Sequence, residues 1–448
     1  MTRSETFPKP VRDNHWRSTI SVAMSNYIES GSIIAIATSL GFWQDTFHIG
    51  NGLIGILAAF SPNAFGAAIG AALGGPLADR YGRKFIYTYD LLLYMLGMLF
   101  VIFADNSGML FAGFLISGIA VGAGVPAAWT YIAEVAPDDK RAAHVGTAQL
   151  AWSLGPMVGY LLAVAVAPMG LFGSRLIFAW LFVVALVTWL VRRGLPESGI
   201  WTEQKESNAK SITIGTSLRA LFTRKVNLTA LLFLFGVYAF WNTVAGQAGI
   251  FMPRVYAASG FTSVVEQDLI QALLWFCTAL FTWLGFMVLG DRMSRRILFA
   301  IGALMAIGAW VVLAFSPPSL PVLFVFALGW GISAGIGAQA FYGLWTSELF
   351  ATPYRAGAQG VLFTAARLMV GFLSLWFPTL LATIGLSRLG ILIIALLAVS
   401  FIVGVIWAPE TRGKSLRQIE QERYGEYLET DTAYLRVTQE AKTGRGAR

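Results

Sequence analysis

Long runs of apolar residues alternate with short polar segments along almost the entire chain. A helix needs about 20 mostly apolar residues to cross a bilayer, so runs of that length are typical of transmembrane helices. Twelve such runs lie at roughly 18–42, 52–75, 85–104, 109–132, 142–167, 174–192, 227–252, 265–289, 297–316, 321–346, 357–383 and 389–407. The pattern predicts an all-α membrane protein with twelve transmembrane helices.

The longest polar stretch between these runs divides them into two sets of six. We therefore expect two six-helix bundles joined by a linker, with a polar segment at each end of the chain. The predicted parts are an N-terminal segment 1–17, a first bundle 18–192, a linker 193–226, a second bundle 227–407 and a tail 408–448.

Composition agrees with a membrane protein and argues against several other classes. Of the 448 residues, 56% are hydrophobic and only 12% are charged, whereas soluble domains average about 25% charged residues. The net charge of +8 comes from cations between the apolar runs, so it does not indicate a nucleic-acid partner. Cys277 is the one cysteine, which excludes an internal disulfide and a cysteine metal cluster. The polar, basic first seventeen residues precede a full-length apolar run, so no cleavable signal peptide is predicted.

Lysine and arginine are distributed unequally between alternate loops. If the N-terminus is cytoplasmic, the loop cations outside the membrane are Arg175, Arg254 and Arg388, and the others lie inside. Cytoplasmic loops carry an excess of Lys and Arg, so this asymmetry indicates the orientation. We expect a multi-pass protein of the bacterial cytoplasmic membrane that has both termini in the cytoplasm and works as a monomer in the lipid bilayer.

The segment Gly75–Lys84 joins the second and third apolar runs and reads Gly-Pro-Leu-Ala-Asp-Arg-Tyr-Gly-Arg-Lys. Three cations and a carboxylate cannot lie in hydrocarbon, so we expect a tight cytoplasmic turn. Its glycines allow close approach of backbones. Asp79 is suited to the positive N-terminus of a neighbouring helix, while the cations contact other acids. Such a latch would hold two halves of the protein together at one face.

Matching motifs occur in the two predicted bundles. Three of them recur at separations of 212, 214 and 213 residues: Asp79-Arg80 as Asp291-Arg292, Glu134 with Arg141 as Glu348 with Arg355, and Pro196-Glu197-Ser198 as Pro409-Glu410-Thr411. These offsets indicate a duplication, with two parallel bundles around an axis along the membrane normal and a substrate site between them near the midplane. The expected gate residues are Asp79, Arg80, Arg83, Asp90, Glu134, Arg141, Asp291, Arg292, Glu348 and Arg355, with Asp90 as a partner for the latch cations.

Two charged residues interrupt the apolar runs near mid-depth. Glu29 lies about eleven residues into the first run, which at about 1.5 Å per residue is roughly 16 Å from the cytoplasmic end. An ionised carboxylate there costs several kcal/mol unless it is protonated, paired or hydrated, which suits a proton-coupling group. The alternative is a hydrogen-bonded strut between helices. Arg367 lies at similar depth in the eleventh run; it could anchor an anionic substrate, pair with Glu29, or bind carbonyl groups of the bundle.

Neutral polar and aromatic residues at helical spacing are expected to line a site for a polyhydroxylated substrate. Amides donate to and accept from hydroxyl groups, and aromatic rings stack on apolar C–H faces. Each such residue alone is more often helix packing. The candidate substrate-binding residues are Asn26, Gln149, Trp152, Trp241, Asn242, Gln247, Gln271, Trp275, Gln339, Tyr342 and Arg367.

The Gly75–Lys84 segment closely resembles the loop 2–3 signature of the major facilitator superfamily. Together with the repeated acid–base motifs, it makes residues 18 to 420 similar to the sugar-porter branch of that superfamily and to its metabolite–proton symporter relatives. Asn26-Tyr-Ile-Glu29, followed by Ser30-Gly-Ser32, and Tyr89-Asp90 are similar to bacterial inositol transporters of this branch. The resemblance implies the major facilitator fold and makes Gln149 the match of a sugar-contacting glutamine. Two departures stand out: Phe240 and Trp241 occupy the positions of paired glutamines, and Phe114 occupies that of the arginine that usually pairs with the first-helix acid. Arg367 is the candidate substitute for that arginine.

We therefore expect a secondary active transporter that imports a small sugar or polyol, with myo-inositol as the best guess, by proton symport and alternating access. It would need the proton gradient and no cofactor. A first alternative is a proton-coupled symporter of an organic acid anion that uses Arg367. A second is a drug or metabolite antiporter, since Gly155-Pro156-x-x-Gly159 partly matches an exporter signature. No nucleophile–base pair or nucleotide motif indicates an enzyme or a pump.

Overall fold

The structure is a computed structural model that describes residues 15–137, 140–195, 197–198, 201–202, 214–351 and 354–430. Most of the predicted N-terminal segment 1–17, part of the linker 193–226 and the end of the tail 408–448 lie outside these residues. Pro196 of the first Pro-Glu-Ser motif also lies outside them.

Every regular element of the described residues is helical. These residues form fifteen α-helices: α1 (His15–Phe47), α2 (Asn51–Ala59), α3 (Phe65–Tyr81), α4 (Arg83–Ile102), α5 (Ser107–Val135), α6 (Arg141–Val166), α7 (Gly170–Arg192), α8 (Ile214–Thr223), α9 (Lys225–Ala258), α10 (Val264–Phe281), α11 (Arg295–Phe315), α12 (Leu320–Ile336), α13 (Ala338–Leu349), α14 (Arg355–Trp407) and α15 (Leu416–Thr430). A 3₁₀ turn (Ala167–Met169) joins α6 to α7, and a π-helical turn (Thr282–Met287) extends α10.

Each predicted apolar run corresponds to helical structure. In the described residues, nine continuous helical stretches are long and apolar enough to cross a membrane. Two of these, 141–192 and 355–407, each contain two predicted runs, which separate at Gly170 (φ 56°) and Gly385 (φ 75°). Glycine adopts this left-handed conformation without the strain that a side chain would add. The remaining run, 52–75, is formed by α2 and α3 together, so the prediction of twelve spans is confirmed.

Helices pack both within each half of the chain and between the two halves. In the first half, α1 packs on α6 and α5 packs on α3 and α4; in the second half, α9 packs on α14 and α11 on α12. The most extensive contacts between the halves are those of α3 with α14 and of α6 with α10. The end that carries Gly75–Lys84 is called the motif end below, and the opposite end, where α10 begins, is called the far end.

Two predicted spans are interrupted near mid-depth, where the sequence suggested continuous helices. The second run breaks between α2 and α3 at 60–64, since Pro62 lacks the N–H that a helix would use there. The tenth run breaks between α12 and α13 at Gly337, which has extended φ and ψ of −105° and −148°. Broken helices free backbone groups inside the membrane, and proteins tolerate them where the freed groups find partners or line a cavity.

Close backbone contact holds the two halves together at the motif end. A Cβ atom added to Gly75 of α3 would lie 2.7 Å from the carbonyl oxygen of Ala356, and one added to Gly360 of α14 would lie 2.8 Å from the carbonyl oxygen of Ala71. Both glycines are therefore needed for this spacing, because backbone atoms cannot yield as a flexible side chain can. The geometry agrees with the close approach expected at Gly75.

Candidate functional site

Glu29 and Arg367 form an ion pair between the two halves at the centre of the protein. Glu29 lies midway along α1, and Arg367 lies twelve residues into α14. Their exposed fractions are 1% and 2%, and the Arg367 Nη2 atom donates a hydrogen bond to Glu29 Oε1. Of the three arrangements that the sequence left open for Arg367, pairing with Glu29 is the one seen in this closed structure, together with a carbonyl contact described next.

Asn63, in the break between α2 and α3, supports the same guanidinium. Arg367 Nη1 donates to the carbonyl oxygen of Asn63 at 2.9 Å and lies 3.3 Å from its side-chain Oδ1. Asn63 Nδ2 in turn donates to the carbonyl oxygen of Gly246 on α9 at 2.9 Å. The guanidinium also lies 4.5 Å from the ring centre of Phe363. Asn63 was not among the predicted site residues; the available signal was Ser-Pro-Asn inside an apolar run.

A small cavity, with room for about one water molecule, adjoins this ion pair and draws residues from both halves. Four predicted substrate-binding residues line it: Trp152, Asn242, Trp275 and Arg367. The rings of Trp152 and Trp275 meet edge to face, with centroids 5.1 Å apart. Because these two tryptophans belong to α6 and α10, their contact closes the cavity between the halves.

The other predicted residues lie outside that lining in the closed state. Gln247 donates to the Val370 carbonyl at 3.0 Å and Gln271 to the Tyr256 hydroxyl at 2.7 Å, so both link helices. Tyr342 stacks on Tyr238 with ring centres 3.8 Å apart, and Trp241 stacks against Trp330 at 6.1 Å. A role for these four in substrate binding stays a prediction.

Asn26, Gln149 and Gln339 are buried beside the cavity region with hydrogen-bonding capacity to spare. Asn26 Oδ1 accepts from Trp129 Nε1 at 2.5 Å, and Gln149 Nε2 donates to the Ala334 carbonyl at 3.3 Å. Within the described residues, however, six predicted substrate-binding residues each keep one buried polar atom without a hydrogen-bond partner: Asn26 Nδ2, Gln149 Oε1, Asn242 Oδ1, Trp275 Nε1, Gln339 Oε1 and Arg367 Nε. Buried polar groups are rarely left unpaired, so such a set indicates a polar ligand or water. The Trp152 indole contacts the Glu29 carboxylate.

The motif end is closed by an acid–base cluster centred on Glu134. Arg83 Nη2 donates to Glu134 at 2.9 Å, and Ser198 Oγ donates to it at 2.6 Å. Arg355 of the second half approaches the same carboxylate at 3.7 Å. The three buried side chains Arg83, Glu134 and Arg355 therefore join α4, α5 and α14.

A second cluster, centred on Glu348, repeats this arrangement in the other half. Arg295 Nη1 donates to Glu348 at 2.6 Å, and Thr411 Oγ1 donates to it at 2.6 Å. Arg141 of the first half donates to the same carboxylate at 3.2 Å. Each cluster thus binds its acid with one arginine and one hydroxyl from its own half and one arginine from the other half, as an internal duplication requires.

Two aspartates add contacts at the motif end. Asp79 Oδ2 accepts from the backbone N–H of Gly357 at 2.8 Å, in the first turn of α14. This is the helix N-terminus geometry that the sequence suggested, and it crosses between the halves. Asp291 lies 3.4 Å from Arg295. Burial raises the pKa of Asp291 above its ordinary value, while the Arg295 guanidinium opposes that rise.

Three predicted latch contacts are wrong. Arg80 is exposed and stacks over its neighbour Tyr81 at 5.1 Å, because it points away from the acids. Arg292 is exposed as well; Arg295, one helical turn beyond Asp291, has the position that Arg83 has relative to Asp79. Asp90 faces Arg192 of α7 at 4.0 Å and not the latch cations, because it lies two helical turns, about 10 Å, further along α4 than Arg83.

Two further acids lie at the starts of helices at the motif end. Glu197 accepts from the backbone N–H groups of Arg83 and Lys84 at 3.0 and 3.1 Å, and so caps α4. Glu410 accepts from the hydroxyl of Ser294, the residue before α11, at 3.1 Å. The repeated Pro-Glu-Ser and Pro-Glu-Thr motifs therefore supply the hydroxyl of each cluster and an acid beside the start of a helix.

The far end is closed by a smaller set of contacts, between an arginine and neutral amide side chains. Arg254 of α9 donates to the side chain of Gln44 at 2.5 Å and to that of Asn51 at 3.2 Å. These contacts again join the second half to the first. With both ends closed around the central cavity, the structure has the form of an occluded transporter.

The fold and the repeated clusters define a class that sequence comparison also identifies. Residues 18–372 match the Major Facilitator Superfamily, and the chain belongs to this family. It is a multi-pass membrane protein with the major facilitator fold and is not an enzyme.

Relatives within the family are transporters of small molecules. The chain is 41% identical to the minor myo-inositol transporter IolF of Bacillus subtilis (strain 168), over 91% of this chain and 94% of that protein. It is 24% identical to the quinate permease of Emericella nidulans, over 93% and 90% of the two chains. The solved structure of the proton:xylose symporter XylE bound to 6-bromo-6-deoxy-D-glucose superposes with a TM-score of 0.78 at 20% identity, covering 91% of this chain and 98% of that one.

The assignment of Arg295, and not Arg292, as a buried partner of Glu348 can be tested directly. We expect Arg295→Ala to lower the free energy of unfolding by about 3–5 kcal/mol, because it removes one partner of a buried ion pair. Arg292→Ala is the matched control, and as an exposed substitution it should change stability by about 0.5 kcal/mol or less. Thermal unfolding in detergent measures both; equal effects of the two variants would contradict this assignment.

Proposed function

We propose that the protein is a secondary active transporter that imports a small polyol, with myo-inositol as the leading candidate, together with a proton. Three observations support this: the 41% identity to a transporter named for myo-inositol, the closed cavity between two halves, and the ion pair beside it. The motif end would face the cytoplasm of a bacterial cell, with both chain termini on that side. The proton gradient would supply the energy, and the carrier would work as a monomer.

The proposed substrate class rests on the buried polar atoms that have no hydrogen-bond partner. Among the six described residues concerned, Asn26, Trp275 and Arg367 offer donors, whereas Gln149, Asn242 and Gln339 offer acceptors. A mixture of donors and acceptors suits hydroxyl groups, since each hydroxyl both donates and accepts. The two tryptophan rings also provide apolar surface for C–H faces of a ring-shaped polyol.

Charge balance at the site favours a neutral substrate over an anion. Arg367 is the cation closest to the cavity, and Glu29 already neutralises it. An anionic substrate would have to displace Glu29 or wait for its protonation. The organic-acid alternative is therefore secondary, although the quinate permease relative keeps it open. The antiporter alternative has only the partial glycine motif in its favour.

Glu29 is the group proposed to bind the coupled proton. While it is ionised, Arg367 holds it across the cavity, so the halves are tied together at mid-depth. Protonation removes the carboxylate charge and weakens this tie. The Arg367 guanidinium then depends on the Asn63 carbonyl and on whatever polar groups the substrate brings. Alternating access would follow as the motif-end clusters and the far-end contacts open in turn.

Neutralising the proposed proton site should separate accumulation from exchange. In proteoliposomes, we expect Glu29→Gln to abolish accumulation of myo-inositol driven by a pH gradient, while exchange of labelled for unlabelled substrate continues. The control is Asp45→Asn, an exposed acid near the end of the same helix. Undiminished accumulation by Glu29→Gln would remove Glu29 from the coupling mechanism.

The substrate class can be read from ligand-induced stabilisation of the purified protein. At 100 times its dissociation constant, a ligand adds about 2.7 kcal/mol to the free energy of unfolding. We expect myo-inositol and related polyols to raise the melting temperature, and quinate to leave it unchanged. Trp275→Phe, which keeps a ring but removes an unpartnered N–H, should weaken polyol binding by about 1 kcal/mol. Stabilisation by organic acids alone would favour the secondary candidate.

A further inference from the structure

A second buried carboxyl group lies between the two halves near the far end, away from the central ion pair. Asp268 is the fifth residue of α10, and only 2% of its surface is exposed. It lines a small cavity, with room for about one water molecule, to which α1 and the α6–α7 connection also contribute, among them Thr38 and Ser174. The cavity therefore lies where α10 of the second half packs on the first half.

Asp268 lacks the partners that a buried carboxylate normally has. Its Oδ2 atom accepts no hydrogen bond from the described residues, and the hydroxyl of nearby Tyr160 on α6 is likewise unpartnered there. Thr38 and Ser174 direct their hydroxyl hydrogens to carbonyl groups of their own helices, at 3.0 Å and 2.9 Å. They therefore do not donate to the acid.

The arginines of the neighbouring helices contact other groups and not Asp268. Arg175 of α7 donates to the carbonyl of Ala104 at 2.7 Å, and Arg254 of α9 contacts Gln44 and Asn51. The phenol of Tyr160 on α6 faces Asp268. Tyr256 of α9 lies near Tyr160, and its hydroxyl accepts from Gln271 at 2.7 Å. The α12 sequence contains no ionisable side chain, and Glu266 on α10 itself is exposed.

An ionised carboxylate in these surroundings has lost water without gaining a cation or donors, which costs several kcal/mol. A protonated carboxyl avoids most of that cost. When the halves part at the far end, water reaches the group and ionisation becomes favourable again. Closure of the far end and binding of a proton are therefore linked by the same burial.

We propose that Asp268 is a second proton-binding site, which takes up a proton as the two halves close at the far end and releases it when they part. The proposal rests on the alternating access of the proposed function, but not on the identity of the substrate. A proton site at Asp268 makes closure of the far end depend on the external pH before Glu29 binds its proton. In an importer driven by protons, this would delay closure until external protons are available.

A distance measurement tests this without any substrate. Spin labels at Thr46→Cys, near the end of α1, and Thr262→Cys, just before α10, report the far-end separation of the halves; both positions are exposed. Cys277 is buried and would be replaced by alanine so that only two labels attach. Pulsed electron paramagnetic resonance in lipid nanodiscs then gives the ratio of open to closed forms at each pH.

For the wild-type background, the open-to-closed ratio should rise with pH, by up to about tenfold per pH unit if one proton is involved. Asp268→Asn should stay closed across the range and lose this dependence, whereas Asp268→Glu should keep it, and so should the control Glu266→Gln. The proposal is wrong if Asp268→Asn retains the wild-type pH dependence or if the wild-type distance ignores pH.

Two additional measurements identify the titrating group and the bound ion. If Glu29→Gln removes the pH dependence while Asp268→Asn does not, the titrating group is Glu29 and the proposal is overturned. If sodium at constant pH closes the far end of the wild-type protein, Asp268 binds a metal cation and not a proton, which also overturns it. Because no uptake is measured, failure here leaves proton symport through Glu29 untouched, and failure of symport leaves this result standing.

Discussion

The closed structure depends on one buried ion pair, between Glu29 of α1 and Arg367 of α14. Either charge alone would be costly at this depth, since almost no surface of either side chain is exposed. Because the two residues belong to different halves, the pair can persist only while the halves are close. Separation of the halves requires a replacement partner for each charge: a proton for the acid, and backbone carbonyls, water or substrate for the base.

The ends of the protein use different chemistry around this centre. At the motif end, the clusters at Glu134 and Glu348 each include an arginine from the opposite half, so opening there separates two pairs of buried charges. At the far end, the described cross-half hydrogen bonds of Arg254 go to neutral amide side chains. Breaking charge–charge contacts costs more than breaking charge–amide contacts. In the absence of other changes, the far end is therefore the easier one to open.

The sequence predicts the helices well because the length of an apolar run is a direct requirement of the bilayer. It also singles out Glu29 and Arg367, since charges in such runs are costly. It does not predict partners that depend on how a helix is rotated, and for this reason Arg295 was missed in favour of Arg292. Asn63 and Asp268 were missed for a related reason: the break that exposes the Asn63 carbonyl and the packing that isolates Asp268 appear only when distant helices meet.

The central claim is that Glu29 and Arg367 are each other's partner. A double-mutant cycle of melting experiments with Glu29→Gln, Arg367→Gln and the combined variant measures their coupling. Each single change leaves a buried polar group without its partner and should cost about 3–5 kcal/mol, whereas the combined variant should lose clearly less than the sum of the two. Losses that simply add would show that the two side chains do not interact, and would contradict the claim.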